Sequence, residues 1–303
     1  MLKKTVTSAT GGSGGPTTPQ YTITVTQGAN GVITPGTGDY DEGSTPSFTI
    51  DPNDGYYIAS ITADGSPVTV TNPTGQTYQF PALAADGTLT ATYAVITVTQ
   101  ISSTDTGFSG VQAGDLLVVM PNTRTGTWTG DALTCTATGY TSLEVAAYMD
   151  DIYDRRAVAV LIKKATGGES GTIGVTWGGS GVTTYTTIYQ IYRSNLGADT
   201  VWTYNGESGE SSNGGGSSST SIPTISGLAS STTTNVLSIG AAVFRDNPNT
   251  VTMTNLGSQD SSVYSNCYTF TEFTYGSAVT QTNISWTTAR LASGLLLQIE
   301  CTD

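Results

Sequence analysis

The sequence predicts an all-β protein, a small Ig-like or β-repeat module followed by a larger jelly-roll-like β-sandwich. Three observations predict it. Charged residues make up only 11% of the 303, and Gly accounts for 37 of them, far from the Ala/Glu/Lys/Leu bias of helical proteins. No stretch of about a dozen residues combines helical periodicity with caps. From residue 21 onward, short alternating or apolar runs bounded by Gly, Asn and Asp follow one another without interruption.

The run Ala157–Ile162, held between Arg156 and Lys163, is apolar on both faces and fits the middle of a sandwich better than its edge. Downstream, Gly171–Trp177 alternates, with Ile173, Val175 and Trp177 on one side. The loop Ala165–Ser170 between them contains Gly167 and Gly168, so the two segments read as a hairpin at the centre of the larger domain.

Composition removes several function classes. A formal charge of −13 argues against nucleic acid, which requires clustered Lys and Arg. No Lys or Arg lies between Lys4 and Arg124, an acidity explained by solubility. No apolar segment approaches the roughly 20 residues of a membrane helix. Histidine is absent, which removes the commonest general base and metal ligand. Cys135, Cys267 and Cys301 are far apart and in no CxxC spacing, so buried thiols are expected, with a Cys267–Cys301 pairing left open. No cofactor and no metal site is expected. Met1-Leu2-Lys3-Lys4 is followed by no apolar run, so no secretory signal is read there, and release by cell lysis fits.

Residues 1–20 read as an arm whose Gly/Ser/Pro stretch is a flexible linker, with Met1, Leu2, Lys3 and Lys4 as the candidate anchor to a partner. Residues 21–95 form the small module. Tyr21–Thr26 alternates as a strand, Gly28–Gly31 turns, and Asp64-Gly65 is a tight-turn signal between later strands. The order Tyr21-Thr22-Ile23, Gly31–Pro35, Gly43 before Phe48-Thr49-Ile50, Pro52 before Gly55-Tyr56, Asp64-Gly65, Tyr78-Gln79-Phe80 and Ala85-Asp86 before Leu89–Tyr93 resembles the divergent InlB B-repeat family. That resemblance implies an all-β spacer or adhesive module of bacterial surface proteins. It places Phe48, Tyr56 and Phe80 in the core and makes Asp51–Gly55 a turn, not a calcium loop. Ile96–Gln100 echoes Ile23–Gln27 and marks the module's end near residue 95.

Residues 96–303 read as about ten to twelve strands of a double sheet. Among them are Leu133–Ala137, Leu143–Met149, Tyr185–Tyr192, Asn235–Phe244, Val263–Tyr275 and Gly294–Cys301. Glu207–Ser219 reads as a long polar loop. The series Ala113–Val118, Gly139-Tyr140-Thr141, Lys163–Thr166, Gly168-Glu169, Thr176-Trp177 and Ile191-Tyr192-Arg193 resembles β-sandwich domains of bacteriophage structural proteins. This implies a virion surface protein, multimeric and non-enzymatic, and carries no active site with it.

A search for chemistry finds little. Asp150, Asp151 and Asp154 beside Arg155 and Arg156 read as an acidic turn with local ion pairs. Trp128, Trp177, Trp202, Tyr204 and Trp286 offer rings that stack on sugars if several are exposed, but Trp177 and Trp286 sit in strand patterns and are expected in the core. Trp202 and Tyr204 share one side of a strand beside the Gly/Ser stretch, and are the candidate sugar-stacking surface if that side is exposed. The expected function is a bacteriophage head decoration, head fibre or tail-fibre component at the virion surface. Its expected partners are other virion proteins, through the arm, and further copies of itself. A carbohydrate-binding adhesin that recognises host-surface glycans is the alternative, and a polysaccharide-cleaving enzyme the remote third.

Overall fold

The computed structural model describes residues 18–303 apart from 126–132, 151–153, 180–181, 183, 205–207, 213–218, 222–223, 227, 229–234, 245–249, 257–266, 276–281, 291 and 303. The arm residues Met1, Leu2, Lys3 and Lys4 lie outside the described residues. The chain divides into two units, one of residues up to Pro52 with Ile58–Tyr93, the other of Asn53–Tyr57 with Ala94–Asp303.

The first unit contains β1 (Gln20–Thr26), β2 (Gly31–Thr34), β3 (Gly38–Asp41), β4 (Ser47–Pro52), β5 (Tyr56–Ala63), β6 (Ser66–Val68), β7 (Gln76–Gln79) and β8 (Gly87–Val95). They form one sheet in the order β3-β1-β8-β5-β6 and a second in the order β2-β4-β7. The alternation of β1 is physical: Ile23 is buried while Thr24 and Thr26 are exposed. Phe48 and Phe80 meet edge to face at 5.7 Å in a core that also holds Ile33, Ile50 and Leu89. At the tip between β5 and β6, Asp64 (φ 50°) and Gly65 (φ 73°) both take the left-handed conformation a type I′ turn demands. The Asp64 carboxylate then accepts the Thr88 N–H at 2.7 Å, tying the turn to β8.

The second unit runs β9 (Val98–Thr104), β10 (Leu116–Thr125), β11 (Thr134–Thr136), β12 (Thr141–Asp150), β13 (Asp154–Lys164), β14 (Thr176–Gly178) and β15 (Thr184–Ser194). A short 3-10 turn, Gly197–Asp199, leads to β16 (Val201–Thr203) and β17 (Ser208–Ser212). The chain continues through β18 (Ser219–Ser221), β19 (Asn235–Phe244), β20 (Val251–Met253), β21 (Cys267–Tyr275), β22 (Ile284–Arg290) and β23 (Ala292–Thr302). One large sheet has the order β12-β13-β10-β15-β9; the other has β16-β23-β19-β21, with β17 also paired to β23. Small sheets β11-β14 and β18-β22-β20 complete the unit.

These sheets stack in four layers. Val118, Met120 and Val160 of the first large sheet pack on Ile239, Leu295 and Leu297 of the second. The opposite face of the first sheet, with Leu117, Ala159 and Leu161, is covered by Cys135 of β11 and Trp177 of β14. On the second, Ala242, Phe244 and Leu296 are covered by Val251, Met253 and Ile284. Strands in the two middle layers therefore bury both faces, which is why they read as unbroken apolar runs. Ala157 through Leu161 are all fully buried, as is every residue of β19.

The two halves of this unit follow a similar path, except that among the described strands β12 has no counterpart in the second half. In the first half β10 lies between β13 and β15, and β15 carries the edge strand β9. In the second, β19 lies between β21 and β23, and β23 carries β16 and β17. Each half covers its own outer face with its own short strands, so each makes one large sheet and one cover. In sequence the halves share only brief echoes, such as Thr172–Trp177 before β15 and Thr282–Trp286 before β23.

Two sequence expectations are corrected. The segment Gly171–Trp177 does not form a hairpin with Ala157–Ile162: β13 pairs with β10 and β12, while Thr176–Gly178 pairs with β11 in the cover sheet. A strand has two edges, and both edges of β13 are occupied by antiparallel neighbours of nearly its own length, β10 and β12. The polar stretch Glu207–Ser219 is not all loop, because Ser208–Ser212 pairs with Ser293–Leu297 of β23. An apolar strand needs backbone partners on its free edge, and Gly and Ser supply N–H and C=O as well as any residue.

Candidate functional site

Among the described residues, polar and aromatic groups converge where β10 begins. Gly114 (φ 89°) donates its N–H to the Ala165 carbonyl at 3.0 Å. The Gly114 carbonyl accepts the Trp202 indole N–H at 2.8 Å. Beside it, Asp115 is 1% exposed and receives Arg193 through two bonds, Nε to Oδ1 and Nη2 to Oδ2, both 2.7 Å. Asp115 Oδ2 also accepts the Gln112 N–H at 2.8 Å, and Arg193 Nη2 donates to the Gly110 carbonyl at 3.1 Å. One ion pair thus closes the 110–115 loop onto the end of β15. The register places it there, since Leu116 lies opposite Tyr192.

A second pair lies beyond the end of β13. Lys163 Nζ is 3.0 Å from Glu169, whose carboxylate also accepts the Thr166 and Gly167 N–H groups and the Thr166 hydroxyl. Burial pushes the Glu169 pKa up, but these bonds outweigh it and hold it down at about 2. Lys163 sits 5.8 Å from the centre of the Tyr140 ring, and burial pushes that phenol up to about 12. Both carboxylates are committed as fixed acceptors inside the fold, which suits loop anchoring and not proton transfer.

Trp202 and Tyr204 do share one side, as period-two alternation requires, but it is the inner side. Both are half-buried and pack on the main core, and Trp202 also packs beside Leu196 and Cys301. The exposed residue of β16 is Val201, 42% accessible. Trp202 is a partly buried ring packed against the core, and its N–H fastens β16 to Gly114. Trp177 is buried, with its N–H donated to Thr184 Oγ1 at 3.2 Å. Trp128 and Asp151 lie outside the described residues, and Trp286 lies in β22. Asp150 and Asp154 stand opposite one another where β12 turns into β13.

Burial pushes the Cys135 thiol up to about 12, and does the same to Cys267 against a weaker downward pull from the Asn122 amide. Neither is an activated nucleophile. All three cysteines are buried, and none forms a disulfide. Cys267 lies opposite Val243 and Cys301 opposite Asn235, eight positions apart along β19 and so roughly 26 Å from one another. Among the described residues no three His, Cys, Asp or Glu side chains gather as a metal site, and no helix is long and apolar enough to cross a membrane.

Asp115 with Arg193 escaped the sequence reading. Their separation of 78 positions hides the pair, and only the β10–β15 register would have exposed it.

With this geometry in place, one comparison is informative. Residues 21–97 match the divergent InlB B-repeat domain. The first unit is thus a B-repeat module, a quarter of the chain. No curated protein and no solved structure matches the chain.

Proposed function

We propose that the protein is a non-enzymatic structural component of the outer surface of a bacteriophage particle, a head decoration, head fibre or tail-fibre subunit. The observation that carries this reading is how the described polar and aromatic groups of the second unit are engaged within its fold. Its described ion pairs fasten loops, its thiols are buried, and its candidate binding rings Trp202 and Tyr204 are turned inward. What remains is a rigid β-scaffold joined to a B-repeat module, with the resemblance of Ala113–Val118 and its following motifs to bacteriophage sandwich domains indicating the setting. In this reading the chain is made in the host cytoplasm, assembles with copies of itself, and attaches to other virion proteins through residues 1–19.

Mass spectrometry and immunogold labelling of purified particles test it directly. The protein is expected on the particle, and a chain lacking residues 1–19 is expected to fold but not attach. Recovery only from cell-wall fractions of uninfected bacteria sinks the virion reading; attachment of the truncated chain sinks the anchor.

The B-repeat match favours a second reading, a host-surface adhesin that binds glycans. Glycan-array binding by residues 96–303 decides between them. No binding is expected, because Trp202 and Tyr204 are both partly buried against the core; binding lost in a folded Trp202→Ala/Tyr204→Ala variant would establish the adhesin instead.

A further inference from the structure

We infer that a buried hydrogen-bond chain, Gln100–Tyr192–Gln190–Thr269, is the lock that fixes the register between the two halves of the second unit. Gln100 Nε2 donates to the Tyr192 hydroxyl at 3.3 Å, and that hydroxyl donates to Gln190 Oε1 at 3.0 Å. Gln190 Nε2 then crosses between the sheets to Thr269 Oγ1 at 3.1 Å, and reaches Ser103 Oγ at 3.4 Å. Gln100 and Ser103 are on β9 and Gln190 and Tyr192 on β15, all in the first half; Thr269 is on β21, in the second. Gln190 and Thr269 are fully buried.

Most other contacts between the large sheets are aliphatic, as with Val118 and Val160 against Ile239 and Leu297, although buried polar side chains such as Asn122, beside Cys267, also lie there. The aliphatic contacts are non-directional. Side chains alternate with period two, so sliding one sheet by two residues keeps apolar groups against apolar groups. Hydrophobic burial alone therefore separates neighbouring registers poorly. The Gln190–Thr269 bond separates them sharply, because a slid register breaks it in a dry interior, where a lost partner lowers the folding constant by roughly a factor of ten or more. The repeat makes this necessary: two halves of similar path and pattern need a feature that is not repeated to define how they meet. This inference is independent of the proposed function.

The test is a double-mutant cycle in the full chain with Gln190→Met, Thr269→Val and the combined variant, plus Thr269→Ser. Each apolar single variant is expected to lower the folding equilibrium constant about tenfold. The combined variant is expected to cost less than the sum of the two single variants, because neither end of the Gln190–Thr269 bond is then left alone, though the Tyr192 hydroxyl still loses Gln190 Oε1. It is also expected to show a broadened denaturant transition, weakened near-ultraviolet circular dichroism and bound ANS. Thr269→Ser retains the acceptor oxygen and is expected to keep the native signals. A combined variant with a cooperative transition and native near-ultraviolet signal would overturn the lock, leaving the bond as ordinary stabilisation. Additive single effects, or a Thr269→Ser variant as disordered as Thr269→Val, would overturn it equally.

Discussion

Gly114→Ala is expected to abolish the native sandwich while leaving the B-repeat module folded. An added Cβ at this position would overlap the Gly197 carbonyl and lie 2.8 Å from the Ala198 Cα. Those are backbone atoms, so no rotamer change relieves the clash. The φ of 89° adds the conformational cost that any L side chain bears there. Displacing Gly114 also pulls its carbonyl from the Trp202 N–H and its N–H from Ala165, releasing β16 and the 110–115 loop together. The combined cost should exceed about 4 kcal/mol, the range reserved for a disrupted core or backbone. Gly168→Ala is the control. Its φ is 82°, but nothing lies within 4 Å of the new Cβ, so only the left-handed strain of about 1–2 kcal/mol applies. Urea unfolding of the full chain, followed by tryptophan fluorescence, separates the cases, since all four tryptophans lie beyond residue 97. A Gly114→Ala variant no less stable than Gly168→Ala would show that the 197–198 backbone yields, and that Gly114 is not a fixed point.

How much of this was legible in the sequence depends on the range of the interaction. Local patterns were readable. Ile23 with Thr24 gave the faces of β1, Asp64-Gly65 gave the turn between β5 and β6, and the unbroken run Ala157–Ile162 gave a strand in the middle of a stack. Pairing was not readable. The Gly167-Gly168 loop and the alternation of Gly171–Trp177 point to a local hairpin partner for β13, whereas its neighbours β10 and β12 match it in length and apolar character. For Trp202 and Tyr204, alternation fixes that the rings share a side but is silent on which side, and the Gly/Ser stretch nearby suggested solvent. The inward choice is made by contacts to residues far away, Gly114 among them. The repeat of the two halves was hidden for a related reason. Layered sheets constrain apolarity and strand order, not residue identity, so two halves can follow a similar path with few residues in common. Asp115 and Arg193 were invisible until a register placed them side by side.

That pair carries the second large effect. Asp115→Asn should destabilise the sandwich by about 3 kcal/mol, because breaking a buried pair costs far more than the pair contributes as a whole. The amide keeps the shape but offers one acceptor where Asp115 has two, both in use: Oδ1 toward Arg193 Nε, and Oδ2 toward Arg193 Nη2 and the Gln112 N–H. Either orientation sets an NH2 group against the guanidinium. Arg193 stays cationic and only a quarter exposed, so water compensates it in part, which keeps the cost short of the largest recorded for buried charges. Arg193→Met should cost a similar amount by stranding the Asp115 carboxylate, which is 1% exposed. Asp115→Leu/Arg193→Met removes both charges, and should cost clearly less than the sum of the two single variants, since neither is then left without its partner. Chemical denaturation of the four proteins gives the coupling. Raising salt should change it little, because the contact is shielded from solvent, whereas an exposed ion pair would weaken. Additive costs, or a strong loss of coupling at high salt, would show that the 110–115 loop is held by its backbone bonds and not by this ion pair.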